Sequence, residues 1–228
     1  MLGLKQSLSL NSNRTLGGWT PASEGTDLVA WYKNKEGIAL NGSNVSRWDD
    51  SSSFDHDMSQ GTEEKQPAYN ASTGALTFDK TAVQSLQTTN QISINGEFTV
   101  GIRLNPSSVN VIIIGDNTTT NEFFKISNST TLRFKTDGSQ VDITVNDGDL
   151  TADNYLVVTR NSINSVSLYV NGNLQTDTEI LAGTVDIDAI GVRLNNANPY
   201  DGIIQEVQIY DSTSLELTTN VNGYLSNL

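Results

Sequence analysis

The chain has 228 residues and a formal net charge of −13, from 26 Asp and Glu against 13 Lys and Arg. This balance argues against nucleic acid and anionic membranes as partners, because both are bound through clustered positive charge. The absence of cysteine excludes a disulfide framework, a thiol nucleophile and a thiolate zinc site. The acidity either maintains solubility or supplies cation ligands in calcium-rich or saline surroundings.

Residues 1–26 are rich in Ser, Asn, Gly and Thr, and this composition predicts an N-terminal arm. We expect the arm to be held by a neighbouring subunit or along its own domain. The side chains expected to make these assembly contacts are Leu4, Leu8, Leu10 and Trp19. The arm lacks the continuous apolar segment that export requires, so we expect no signal peptide, and no apolar run approaches the roughly 20 residues of a membrane span.

From residue 27 to the C-terminus, short segments rich in Val, Ile, Thr, Phe and Tyr alternate with Gly, Asn, Asp and Ser clusters. This pattern predicts one all-β sandwich or barrel over residues 27–228, with a short helical turn only within 215–228. The segment SVSLYVNGNLQT at 165–176 predicts a hairpin, since apolar residues alternate on either side of an Asn-Gly turn. The polar segment 49–66 predicts a functional or mobile loop.

Four segments in order, LVAWYK (28–33), VSRWDDSSS (45–53), YLVVTRNSINSVSLYVNG (155–172) and DGIIQEVQIYD (201–211), resemble laminin-G-like, concanavalin A-like jelly-roll domains. The resemblance implies a two-sheet antiparallel sandwich. It also implies glycan binding, often with calcium, an adhesion or structural role, or in some relatives β-glucan hydrolysis. More loosely, the leaderless, acidic, Asn/Ser/Thr-rich chain resembles bacteriophage virion proteins, especially marine ones, which implies location in a virion.

Catalytic residues are not expected. Glucan hydrolysis needs two carboxylates roughly 5 Å apart, one as acid and one as nucleophile. Asp186 and Asp188 share a strand face, but the glutamates that flank such a pair in the hydrolase relatives are missing, and we expect Glu206 to face solvent. His56 is the only histidine and lies in the 49–66 loop.

Calcium is the one metal that the composition allows, because it takes carboxylate, amide and backbone oxygens from loops. The resemblance places such a site at the sandwich rim. The expected ligands are Asp116, Asn117 and Asp201, with Asn195 and Asn198 as further oxygen donors. The alternative is that these residues only cap turns with their own side chains.

A sugar site pairs an aromatic ring with amide or carboxylate groups that bind hydroxyls. Two places have this composition. The first is Tyr200 with the neighbouring Asn195, Asn196, Asn198 and Asp201. The second is Trp48 with Asp49 and Asp50, whereas Trp31 is expected to lie half-buried in the core.

The leading expectation is a non-enzymatic virion component, either surface decoration or a fibre or adhesin, assembled through its arm with other copies of itself or other virion proteins. The first alternative is a calcium-assisted, lectin-like module that binds a cell-surface glycan. The second alternative is a glycan hydrolase.

Overall fold

The computed structural model describes residues 18–118 and 121–228. Within these residues the chain forms eighteen strands and one α-helix. The elements are β1 (Leu28–Tyr32), β2 (Ile38–Asn41), β3 (Asn44–Trp48), β4 (Met58–Ser59), β5 (Ala68–Asn70), β6 (Ala75–Phe78), β7 (Leu86–Ile94), β8 (Phe98–Pro106), β9 (Val111–Gly115), β10 (Phe123–Asn128), β11 (Thr131–Lys135), β12 (Gln140–Thr144), β13 (Asn154–Arg160), β14 (Ser165–Val170), β15 (Asn173–Leu174), β16 (Glu179–Ile180), β17 (Val185–Ile190), β18 (Gly202–Tyr210) and α1 (Leu215–Leu225).

The strands form two antiparallel sheets that pack face to face. The front sheet runs β14–β13–β8–β18. On the other side of β18, β6 pairs with its first half and β1 with its second half, and β5 pairs with β6. The back sheet runs β12–β11–β10–β9–β17–β7–β4. Strand β3 pairs with both β4 and β5 and so joins the two sheets at one end. The predicted jelly-roll sandwich is confirmed.

The predicted hairpin at 165–176 is also confirmed. Val166, Leu168 and Val170 of β14 are buried in the core between the sheets. Asn171 and Gly172 adopt φ values of 51° and 80° and connect β14 to β15. Positive φ at both turn centres is the requirement of a type I′ turn, which Asn-Gly meets at little cost.

Helix α1 covers the outer face of the front sheet. Ser214 caps it, because its hydroxyl oxygen accepts a hydrogen bond from Leu217 N at 3.0 Å. Gly101 of β8 lies directly beneath the helix, and a Cβ there would stand 2.6 Å from Cγ1 of Val221. A second apolar cluster, separate from the core, therefore holds the helix; its buried members are Leu28, Trp31, Val157, Tyr210, Leu217, Val221 and Leu225.

The helix also explains why the expectation for Glu206 was wrong. Glu206 is fully buried, not exposed to solvent, because Trp31 and Tyr224 of α1 close over it. Its carboxylate accepts hydrogen bonds from Trp31 Nε1 at 2.7 Å, Asn34 N at 3.0 Å and Gln208 Nε2 at 2.7 Å. Burial raises the pKa of Glu206.

The arm is described only from Gly18 onward, so Leu4, Leu8 and Leu10 lie outside the described residues. Trp19 is half-buried on its own sandwich, with its ring edge-on to Tyr224 at 6.2 Å. Its Nε1 donates to Glu24 Oε1 at 2.7 Å. A 3₁₀ turn, Pro21–Asp27, then leads into β1. In the part of the chain that the structure describes, no helix is long and apolar enough to span a membrane.

Candidate functional site

A cleft of about 750 Å³ opens beside strands β7 and β17 of the back sheet. This volume lies within the range of about 300–1,000 Å³ that is usual for small-molecule sites. Its lining consists of hydroxyl and amide side chains with one lysine, one aspartate and a glycine. The residues are Ser59, Gln60, Gly61, Thr62, Lys65, Gln87, Thr88, Thr89, Gln91, Asn117, Thr118, Asp188 and Asn196.

An irregularity in the β7–β17 pairing shapes the cleft wall. Ile187 pairs with Ile92 and Ala189 pairs with Gln87, so the four residues 88–91 of β7 stand opposite the single residue Asp188. The extra residues bend β7 away from its partner and aim polar side chains into the gap. Such bulges recur beside binding and active sites, where they redirect side chains.

The bulge is fixed from behind by the loop that precedes β4. Asn90 donates through Nδ2 to the carbonyl oxygens of Phe54 at 3.1 Å and Asp55 at 3.2 Å. The Nδ1 atom of His56 lies 2.7 Å from Asn90 O. His56 is only 6% exposed, so its imidazole supports the bulge from within the protein. The segment predicted as a functional or mobile loop thus holds the bulge and supplies Ser59 to Thr62 to the cleft.

Asp188 anchors the floor of the cleft. Its carboxylate accepts from the backbone N–H of Asn117 at 2.7 Å and from the hydroxyl of Thr118. The neighbouring Asp116 accepts from Thr118 N at 2.7 Å and from Gln91 Nε2 at 3.2 Å. Burial raises the pKa of the Asp188 carboxyl, and the contact with Asp116 adds to this rise. The two carboxyl groups therefore serve as acceptors that fix the loop after β9.

A second loop is tied to the first through a pair of asparagines. Asn117 Nδ2 donates to Asn196 Oδ1 at 3.2 Å, and Asn196 N donates to Asn117 Oδ1 at 2.9 Å. Asn196 ends the turn Leu194–Asn196 with a φ of 56°, a conformation that asparagine tolerates better than most residues. The loops after β9 and β17 therefore meet at one side of the cleft.

The structure brings together only part of each predicted set. Asn117 and Asn196 line the cleft, and Asp116 lies buried beneath it. Asp201 lies apart from this cluster: its carboxylate is 3.4 Å from Lys80 Nζ. Two further members of the predicted sugar site also lie outside the lining: Asn195, which is exposed in the turn, and Asn198, which accepts from a guanidinium.

Neither predicted aromatic ring can stack on a sugar. Tyr200 and Trp48 are both fully buried in the core, against the expectation that they face a ligand. Tyr200 packs edge-on against Phe78 and donates its hydroxyl to Ile203 O at 3.1 Å. Trp48 donates to Lys33 O at 3.1 Å, and Asp49 pairs with Arg47 at the surface. The prediction was wrong because polar residues next to an aromatic residue in sequence do not show that the ring is exposed. They also occur where a buried strand ends and a loop begins.

The predicted calcium ligands are not gathered in one place, since Asp201 lies apart from Asp116 and Asn117. Within residues 18–118 and 121–228, no group of three His, Cys, Asp or Glu side chains is placed to hold an ion. The oxygens of Asp116 and Asp188 receive N–H and O–H donors, which leaves them poorly suited as ligands of a cation. Calcium involvement stays a prediction from the sequence.

Sequence reasoning overlooked Asp188 as a site residue, together with Gln87 and Gln91. It considered Asp188 only as a partner of Asp186 in catalysis. The available signal was the run VDIDAI, in which an aspartate sits among apolar strand residues and must find hydrogen-bond partners if buried.

The fold recurs among solved structures of low sequence identity. The binding domain of Paraclostridial Mosquitocidal Protein 1 matches with a TM-score of 0.60 and 13% identity, over 88% of this chain and 52% of that one. Domain 4 of AbnA, a GH43 extracellular arabinanase from Geobacillus stearothermophilus, was solved in complex with arabinotriose. It matches with a TM-score of 0.59 and 15% identity, over 88% of this chain and 98% of that one. The botulinum neurotoxin serotype D ligand binding domain in complex with N-acetylneuraminic acid matches with a TM-score of 0.59 and 14% identity, over 91% of this chain and 53% of that one.

The chain thus spans about half the length of the mosquitocidal and neurotoxin domains, but nearly all of the arabinanase domain. No curated protein is similar enough to count as a relative. A family model described as the concanavalin A-like lectin/glucanases superfamily matches residues 78–216, which is more than half of the chain. These residues include strands β7 to β18 and most of the cleft lining. The chain belongs to the concanavalin A-like lectin/glucanases superfamily.

Proposed function

We propose that this protein is a non-enzymatic carbohydrate-binding module and that its cleft beside β7 and β17 is the sugar site. The observation that carries the proposal is the lining, in which amide and hydroxyl groups are held in fixed positions around Asp188. Such groups can both donate to and accept from sugar hydroxyls, and fixing them in advance lowers the entropic cost of binding.

Two similar structures support the proposal. The arabinanase domain was solved with arabinotriose, and the neurotoxin domain with N-acetylneuraminic acid. Each shares only the fold with this chain, so the sugar bound here has to follow from the cleft itself.

The carboxylates favour binding over catalysis. Asp116 and Asp188 are in hydrogen-bond contact, whereas a retaining glycosidase places its two carboxyl groups about 5 Å apart. Glu206 belongs to the other sheet and is sealed beneath α1. We therefore expect no turnover of β-glucans.

Assembly into a virion through residues 1–26 is a separate hypothesis about where such a module would act. Its leucines lie outside the described residues, and Trp19 contacts its own sandwich. Deleting residues 1–17 tests it: unchanged self-association and unchanged incorporation into particles would remove the arm from assembly.

The test of sugar binding is a glycan array followed by isothermal titration calorimetry with Gln87→Ala. Gln87 is partly exposed in the cleft and its amide makes only a 3.5 Å contact with Ser85 Oγ, so the substitution removes a lining group with little damage to the fold. We expect about tenfold weaker binding, the factor for about 1.4 kcal/mol lost with one hydrogen bond.

The matched control is Gln205→Ala, which removes a partly exposed strand glutamine from the front sheet. Its amide makes one weak contact, at 3.3 Å to Thr73 O. We expect full binding by this variant. Equal affinities for both variants, or no glycan bound by the unmodified protein, would show that the cleft is not a sugar site.

A further inference from the structure

A group of cations lies on the outer face of the back sheet of this acidic protein. We call the group formed by Lys125, Arg133, Lys135 and Arg193 the basic patch. The patch contains four of the 13 Lys and Arg residues of the chain. Lys125 and Arg133 pair across β10 and β11, and their strand neighbours, among them Phe124 and Phe134, point into the core. The two cations therefore project outward side by side.

Of the four cations in the basic patch, only Arg133 forms an ion pair with a described carboxylate. Asp142, the cross-strand partner of Arg133, makes two hydrogen bonds with it, at 2.6 and 2.7 Å. Lys125, Lys135 and Arg193 form no ion pair with any described residue. Residues 1–17 and 119–120 contain no Asp or Glu that could supply one. Three cations of the patch thus form no ion pair among the described residues, in a chain that has twice as many acidic as basic residues.

Arg193 is held in place by neutral groups. Its Nε and Nη2 donate to Asn198 Oδ1 at 3.0 and 2.8 Å, and its Nη1 donates to Asn121 Oδ1 at 2.8 Å. Its guanidinium lies 5.3 Å from the ring centroid of Phe123, which in turn pairs across the strands with Lys135. A guanidinium has five N–H donors, so the three contacts with described residues leave two for another acceptor.

The clustering has an electrostatic cost. Partial burial lowers the pKa of the Lys125 ammonium, and the adjacent guanidinium groups of Arg133 and Arg193 lower it further, with only Asp142 acting in the opposite direction. An anion placed among these groups relieves this repulsion and accepts charge-assisted hydrogen bonds from them.

The basic patch adjoins the cleft through the loop after β17. Arg193 precedes the turn Leu194–Asn196, and Asn196 lines the cleft and binds Asn117. Asn198, on the other side of the turn, holds the guanidinium. One short loop therefore carries an amide that lines the cleft and a guanidinium that forms no ion pair with a described residue.

From this arrangement we infer that the glycan bound in the cleft is acidic and that its carboxylate or sulfate groups are bound by the basic patch. The inference rests on the proposed function and names the ligand class. A ligand that runs from the cleft across the 193–198 loop brings its negative groups to Lys125 and Arg193, while its hydroxyls remain with the amides of the cleft.

The test compares charged oligosaccharides with neutral counterparts of the same backbone by isothermal titration calorimetry. One pair is an oligogalacturonate and its methyl ester, and the other is a sulfated galactan oligosaccharide and its desulfated form. We expect the charged member of at least one pair to bind about tenfold more tightly, the factor for one charge-assisted hydrogen bond. The pair that shows the difference identifies carboxylate or sulfate.

The variant is Lys125→Gln, because the Lys125 side chain makes no hydrogen bond with described residues and its loss should leave the fold intact, which a melting curve checks. It should lower affinity for the charged member about tenfold and leave the neutral member unchanged. Lys80→Gln is the matched control, since Lys80 is an exposed lysine that pairs with Asp201 away from the patch.

The outcomes separate the two proposals. If neutral and charged glycans bind equally and Lys125→Gln changes nothing, the basic patch has no ligand role and the sugar site stands. If no glycan binds, the proposed function fails. If binding of the charged glycan depends on Lys125 but not on Gln87, a single site that extends from the cleft to the basic patch is refuted. The inference also fails if the patch is buried between two copies of the chain. Sedimentation would then show a dimer that Lys125→Glu dissociates.

Discussion

Asp188 offers the sharpest test of how the cleft is built, because two substitutions at this position should differ clearly in their effect on stability. Asp188→Ala removes the acceptor of Asn117 N and of the Thr118 hydroxyl. A buried N–H left without a partner costs about 1–3 kcal/mol, and a hydrogen bond to a charged group contributes about 1.5–3 kcal/mol. We expect a loss of about 3 kcal/mol, which for a chain of this size lowers the Tm by about 6–12 °C.

Asp188→Asn should be nearly neutral. Its Oδ1 can still accept from Asn117 N, and its Nδ2 can donate to the Asp116 carboxylate in place of the carboxyl contact. The Thr118 hydroxyl can rotate to accept instead of donate. We expect a change within about 1 kcal/mol and unaltered glycan affinity, whereas Asp188→Ala frees the Asn117–Asn196 loops and weakens binding at least tenfold.

The pH dependence follows from the same carboxyl. Because the pKa of Asp188 is raised in the folded protein, the native state retains a proton that the unfolded chain has released. The stability tied to this proton is present at low pH and is lost as pH rises from the unfolded pKa of about 3.9 through the folded value. Glu206 and Asp211 also have raised pKa values, so the difference between the unmodified protein and Asp188→Asn isolates the contribution of Asp188.

The assay is urea unfolding between pH 3.5 and 7.5, together with calorimetric titration of the glycan. The stability of the unmodified protein should fall relative to Asp188→Asn as pH rises. Our reasoning would be refuted if Asn were as destabilising as Ala, or if the two stability curves ran parallel across the whole pH range.

Three further predictions concern the supports of the fold and the role of metal. Gly101→Ala should lower the free energy of unfolding by about 1–3 kcal/mol, because its new methyl group would press against Val221. Val221→Ala in the same chain should restore part of this loss. If the losses of the two single variants simply add in urea unfolding, the close contact is contradicted. Arg160→Met should lower the free energy of unfolding by about 3 kcal/mol, because the buried guanidinium donates to Gly96 O at 2.5 Å and to Gly183 O at 2.6 Å. Arg160→Lys should retain less than half of this stability. Full stability of the lysine variant would show that the two-pronged geometry of the guanidinium is unimportant. EDTA should leave glycan affinity unchanged in calorimetry, whereas affinity restored only by added Ca²⁺ would establish the calcium site that the sequence predicts.

Local signals explain which features were predictable. The 165–176 hairpin follows from alternation and from the φ values that Asn-Gly accepts, both of which are properties of adjacent residues. The sequence also predicts a short helical turn within 215–228, and the structure extends it to the 11-residue helix α1, capped by Ser214. The all-β class follows because strands succeed one another without helices between them, whereas the two-sheet sandwich is what the family resemblance implies.

The site depended on contacts between distant segments. Asp188 and Asn117 are 71 positions apart, and the β7 bulge becomes a cleft wall only when β17 pairs with it across a shifted register. The burial of aromatic side chains also depends on distant segments. Trp48 and Tyr200 have polar neighbours in sequence but are enclosed by the opposite sheet or by strands far along the chain.

The sequence by itself thus determined the all-β class, most of the longer strands, the Asn-Gly turn, a helical turn near the C-terminus and the acidity of the chain, because these depend on residue type and short-range periodicity. Only the tertiary structure decided that Glu206 is buried, that Asp188 fixes the cleft, and that Lys125 and Arg193 share one surface. Those facts depend on which face of each strand another element covers, and that choice is made by long-range pairing and packing.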